Sequence, residues 1–161
     1  MSSNDCISPW VVRTNYDSEH QHTWELLKQL IVAPQHDPAS SMDFMANVVF
    51  IQDESFADLS GTKLVRSLPD GYQGYFVFVI DRETMSSKEH PLLVIGFAPQ
   101  GDDLQAFNRK PSQTQEGEIK SFRAIPSTVQ AIENNLSIAN MDFEDFAKSV
   151  DSDGIFRGFG R

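Results

Sequence analysis

Two apolar runs constrain this chain more than any other feature. Tyr75-Phe76-Val77-Phe78-Val79-Ile80-Asp81 is apolar at almost every position, and Leu92-Leu93-Val94-Ile95-Gly96-Phe97 repeats the pattern. A strand wetted on one face alternates polar and apolar residues, so an unbroken run suits a strand covered on both faces, as in the middle of a parallel sheet. The first run is therefore read as the central strand. The connector to the second is about ten residues long, short for a parallel crossover of a dozen or more, so an antiparallel return or a tight irregular crossover is expected.

Shorter signals surround this frame. Trp10-Val11-Val12-Arg13 is β-prone, and after Asp17-Ser18 the apolar residues Trp24, Leu27 and Ile31 recur at helical spacing. Ser18 with Gln21 fits a capping box, and Pro34 marks the stop. Residues 35–45 read as a loop, and Asn47-Val48-Val49-Phe50-Ile51 as a buried strand. From Asp53 to Leu68 the spacing is helical but interrupted at Gly61, so one broken helix or two short ones are expected before Pro69-Asp70-Gly71.

Residues 119–124 can pair with the preceding strand around a polar stretch, 98–118, read as a mobile loop insertion. Pro126-Ser127 opens a helix through Val129 and Ile132 that is expected to end at Asn134-Asn135. Phe143, Phe146, Ala147 and Val150 lie at i, i+3, i+4 and i+7, with Asn140 or Asp142 as N-cap, and form the clearest amphipathic helix. In the tail, Phe156 and Phe159 are expected to pack together. The order predicts an α/β fold: one layered domain over residues 10–159, with a mixed, partly parallel sheet, flanking helices and two C-terminal helices, behind a flexible arm at residues 1–9.

Composition narrows the function classes. With 161 residues, 40% of them hydrophobic and 12 of them Phe, the chain can build one ordinary core, which excludes wholesale disorder. A net charge of −10 repels phosphate backbones and anionic lipid, so neither nucleic acid nor a membrane is an expected partner. Acidity favours a basic protein partner or a solvated surface. The lone Cys6 makes no internal disulfide, and neither a signal peptide nor an apolar stretch of spanning length is present, so a reducing, cytoplasmic setting is expected.

Signatures of chemistry are sparse. The sequence holds no G-x-G-x-x-G, no phosphate-binding loop ending in Lys-Ser or Lys-Thr and no G-x-S-x-G, so no cofactor is expected. Asp151-x-Asp153-Gly154 resembles part of an EF-hand loop, but Gly160 stands where the bidentate Glu is required, so a turn is the better reading. His20-x-His22 lacks a third ligand at suitable spacing, and no metal site is expected. His90 precedes the second apolar strand and Asp81 ends the first, which makes them candidates for an acid/base pair at a sheet edge.

The most unusual stretch runs from Glu133 to Phe146, with Glu133, Asn134, Asn135, Asn140, Asp142, Glu144 and Asp145 around a helix junction. Caps and turns explain many such side chains. The functional reading is a polar recognition surface completed by Arg157.

Three segments carry a resemblance: Val11-Val12-Arg13-Thr14; Glu89-His90-Pro91-Leu92-Leu93-Val94; and residues 133–146 with Gly154-Ile155-Phe156-Arg157-Gly158-Phe159. In these the chain resembles an uncharacterised family of small bacterial and fungal proteins known as a domain of unknown function. The resemblance spans roughly residues 10–159, implies a single domain, and brings no substrate, cofactor or catalytic residue with it. Two functions stay open at this point. One is a non-catalytic module that binds a protein partner, a basic one being favoured by charge, through its acidic C-terminal corner. The other is a small cofactor-independent enzyme using His90 and Asp81, with Arg157 holding an anionic substrate.

Overall fold

The computed structural model describes residues 8–98 and 109–159. A six-stranded mixed sheet forms its centre, in the order β4-β1-β5-β6-β7-β8. The strands are β1 (Trp10–Arg13), β4 (Val49–Ile51), β5 (Phe76–Ile80), β6 (Leu92–Gly96), β7 (Lys120–Ala124) and β8 (Ile155–Phe156). β1 runs parallel to β4 and β5, and β7 runs parallel to β8. β6 alone is reversed, pairing antiparallel with β5 and with β7. A separate antiparallel hairpin joins β2 (Gln35–Asp37) and β3 (Met42–Phe44).

The central runs behave as their composition dictates. All five residues of β5 are buried, because successive side chains leave opposite faces of the sheet and each face is covered. Val11, Phe76, Phe78, Val94 and Phe122 join one core with Trp24, Leu27 and Ile31 of α1 (Gln21–Val32). Ile132 of α4 (Val129–Ser137) and Phe146 of α5 (Phe143–Ala147) complete it. On the opposite face Val12, Val77, Val79 and Ile95 meet Leu64 and Val65 of α2 (Gly61–Arg66). The result is a single three-layered α/β domain. Among the described residues no helix is long and apolar enough to cross a membrane.

Several local expectations are corrected. No capping box forms at Ser18 and Gln21; a 3-10 turn, Ser18–His20, precedes α1, and Gln21 instead accepts a hydrogen bond from Arg13. The stretch read as a loop at 35–45 is the β2–β3 hairpin, whose turn Asp37 holds by accepting from the Ala39 amide and the Ser40 hydroxyl. β4 is a half-exposed edge strand rather than a buried one.

The connector after β5 contains a short helix, α3 (Arg82–Ser86), which permits the antiparallel return. The helix at 129 runs past Asn134-Asn135 to Ser137, because the Asn135 side chain bonds back to the Ala131 carbonyl within the helix. The amphipathic helix expected to reach Val150 ends at Ala147. Of the stretch 98–118, residues 99–108 lie outside the described residues, as do 1–7. The remainder is anchored, with Pro111 and Thr114 buried and Arg66 donating to the Thr114 carbonyl.

Candidate functional site

The tail builds the site. Asp151 opens a tight turn closed by a hydrogen bond from the Gly154 amide, with Gly154 at φ +82°, and the chain then enters β8 beside Ala124. Residue 154 favours glycine because a side chain disfavours that left-handed conformation. Arg157 follows β8 and folds back onto the turn. Its guanidinium makes a two-point pair with Glu89 at 2.8 and 2.9 Å and meets Asp151 at 2.7 Å and Asp153 at 2.7 Å. These carboxylates raise the Arg157 pKa above its ordinary value, Glu89 contributing most. Three carboxylates around one cation leave the corner negative.

Beside this corner lies a groove of about 560 Å³ between the β2–β3 hairpin, α4 and the tail. Gln35, His36, Asp37 and Phe44 form one wall; Gln130, Ala131, Asn134 and Asn135 form another, and the segment from Phe156 to Phe159 closes it. Phe44 and Phe159 are 36% and 52% exposed, so the groove carries aromatic surface open to solvent. Phe159 is held against Phe156 and Phe146, at ring-centroid distances of 5.0 and 5.4 Å. Met42 and Met45 expose further apolar surface on and next to the hairpin.

The structure divides the residues singled out from sequence. Asn134, Asn135 and Arg157 line this groove, and Asn140 is tied to Asn135 by a side-chain hydrogen bond of 2.8 Å. Glu133 is buried, and its carboxyl lies near the Asn47 amide and the Ser137 hydroxyl; burial pushes its pKa up against those two bonds. Asp142 and Glu144 line a second pocket of about 490 Å³, with Gly96 and Phe143. There Asp142 and Asp145 form the capping box of α5, and Glu144 pairs with Lys120.

Asp81 and His90 both attach to Thr84. Asp81 caps α3 through the Thr84 amide and hydroxyl, while His90 Nδ1 lies 2.9 Å from the Thr84 carbonyl. Both Asp81 oxygens also meet Arg123, at 2.8 and 3.1 Å. Burial alone would raise the Asp81 pKa, but Arg123 and Thr84 outweigh it and hold the carboxyl below its ordinary value. An ionised carboxylate engaged at both oxygens is a weak proton acceptor.

Sequence reasoning passed over the end of β1. The chain goes from β1 to β4 on one side and then to β5 on the other, the arrangement at which open α/β sheets place their crevices. Here Arg13, Thr14 and Asn15 fill that position and are buried. Arg13 donates to the Asn15 carbonyl at 2.7 Å and to Gln21 at 2.8 Å, and stacks over Tyr16 at 4.5 Å. Among the described residues it has no carboxylate partner.

Nearby, ligand-capable atoms of Asp17, Glu19 and His20 lie within 4.8 Å of one another. Asp17 is paired with Arg82, and His20 lies 2.6 Å from Asn15, so existing contacts account for the placement of both. His22 stands exposed on α1.

The sheet and its groove define a single α/β domain with a mixed sheet and an acidic surface cleft at its C-terminal corner. The chain belongs to the family described as a domain of unknown function (DUF6924), whose match extends over residues 8–159. Comparison with curated proteins finds no match.

Proposed function

We propose that this domain is a non-catalytic binding module whose groove takes a basic, apolar-anchored segment of a partner protein. The supporting observation is the union of open aromatic surface with surplus negative charge. Phe44 and Phe159 offer apolar contact, Glu89, Asp151 and Asp153 surround the Arg157 guanidinium, and Asp37 adds a further carboxylate to the groove lining. A segment carrying Lys or Arg between apolar residues complements both properties. A reducing, cytoplasmic setting is compatible with this reading, since the chain has one cysteine.

Fluorescence anisotropy with a labelled octapeptide alternating Lys and Val tests the proposal against a twin alternating Glu and Val. The Lys/Val peptide should bind and weaken as salt rises, while the Glu/Val twin should not bind. Phe44→Ser combined with Phe159→Ser should weaken binding roughly tenfold with an unchanged circular dichroism spectrum. Equal affinity for the two peptides sinks the reading.

A further inference from the structure

We infer that the groove receives its ligand as an extended strand added to the open edge of β2, with the carboxamides of Gln130 and Asn134 holding the backbone N–H and C=O of alternate residues from the opposite wall. The inference rests on the groove being the binding site proposed above, and it specifies the conformation in which the partner segment is read.

β2 belongs to a two-stranded sheet, so β3 occupies one of its edges and no strand among the described residues occupies the other. All three of its residues, Gln35, His36 and Asp37, line the groove. An unpaired strand edge presents a row of backbone donors and acceptors, and adding a strand there is a recurrent way to bind an extended peptide. The turn beyond β2 is already tied down by Asp37, so the edge is preformed.

The facing wall is equally specific. Gln130 and Asn134 are four residues apart on α4, both line the groove, and neither side chain has a hydrogen-bond partner among the described residues. A carboxamide has a donor and an acceptor side by side and can bond the N–H and C=O of one residue, which leave the same edge of an extended strand. Residues i and i+4 are about 6 Å apart along a helix. Alternate residues of an extended antiparallel strand are about 6.8 Å apart. The two carboxamides therefore match every second residue of a strand lying along α4, while alternate side chains reach Phe44 and Phe159 or the surrounding carboxylates.

Backbone methylation tests this directly. Two versions of the Lys/Val octapeptide, N-methylated at odd or at even residues, lose the amide protons of one strand edge or the other. The version lacking the protons that face β2 should lose roughly tenfold or more in affinity relative to the parent, and the version lacking those that face α4 should lose roughly fivefold, a loss that disappears in the Gln130→Ala, Asn134→Ala variant. Gln130→Ala with Asn134→Ala should weaken the parent roughly fivefold while leaving the circular dichroism spectrum unchanged.

Unchanged affinity of both methylated versions overturns the strand-addition inference. So does tighter binding of an analogue forced helical by α-aminoisobutyrate; either result leaves the binding reading standing if the parent peptide binds. Failure of the parent peptide to bind removes both.

Discussion

Arg123 reaches across the entrance to β6 to grip Asp81. Its two terminal nitrogens meet the two carboxylate oxygens at 2.8 and 3.1 Å, and one of them also donates to the Pro91 carbonyl. Three neighbouring strands, β5, β6 and β7, are tied together at one end by this contact. Both side chains are mostly removed from water, at 19% and 26% exposure, so deleting one leaves the other poorly solvated. Arg123→Met should cost about 2 kcal/mol in urea denaturation. A loss below ~0.5 kcal/mol would make the pair an ordinary surface contact.

The same pair sets an acid dependence. Asp81 titrates lower in the folded state than in the unfolded chain, so its stabilisation is present above the unfolded value, near 4. It is lost as pH falls through the lower folded value. Thermal midpoints measured from neutral pH into acid should fall more steeply for the wild type than for Arg123→Met below about pH 4. Parallel curves would remove Asp81 from the account.

Gly96 and Phe143 make a second close contact. A Cβ at residue 96 would stand 2.7 to 2.9 Å from the flank of the Phe143 ring, including its root atom Cγ, so the ring cannot simply swing its far end away. Gly96→Ala should destabilise by about 1–3 kcal/mol, and Phe143→Leu in the same chain should recover part of it. Unfolding midpoints of the single and double variants check this, and full stability of Gly96→Ala would contradict the packing.

Glu133 has the opposite sign. Burial raises its folded-state pKa, so its favourable protonation is present below the unfolded value near 4.3 and lost as pH rises through the higher folded value. Glu133→Gln keeps an acceptor oxygen for the Asn47 amide and removes the buried charge. The variant should melt about 2 °C higher than wild type at pH 8, with the gap closing in acid. A gap that widens as pH falls would reverse the assignment.

At Arg13 the planar shape carries the prediction. It bonds the Asn15 carbonyl and Gln21 and stacks on Tyr16, contacts that a lysine cannot reproduce together. Arg13→Lys should lose at least about 1 kcal/mol by chemical denaturation despite the retained charge. An unchanged midpoint would show that charge alone matters there.

The legible parts of this fold were those written in periodicity. β5 and β6 announced themselves because both sheet faces are covered, and α1 because Trp24, Leu27 and Ile31 share one helical face. Two elements escaped because they are too short to show a period: β8 has two residues and β2 has three. Neither is fixed by local propensity. β8 exists because Phe156 packs on Phe122 and Phe146, and β2 because Asp37 holds a turn in which Ser41 takes φ +57°.

The groove was half visible for the same reason. Asn134, Asn135 and Arg157 stood out as polar residues in an unusual stretch, whereas Gln35, His36, Asp37 and Phe44 belong to the hairpin that had no sequence signal. The carboxylates that occupy Arg157 come from residues 89, 151 and 153, and only the folded chain brings the first to the others.

The most direct test is a nitrogen-15 NMR titration of the intact domain with the Lys/Val octapeptide. The account predicts saturable shift changes concentrated on β2, on α4 from Gln130 to Asn135 and on the tail from Phe156 to Phe159. Shifts confined to the pocket around Gly96 and Phe143, or scattered over all acidic residues without saturation, would contradict it.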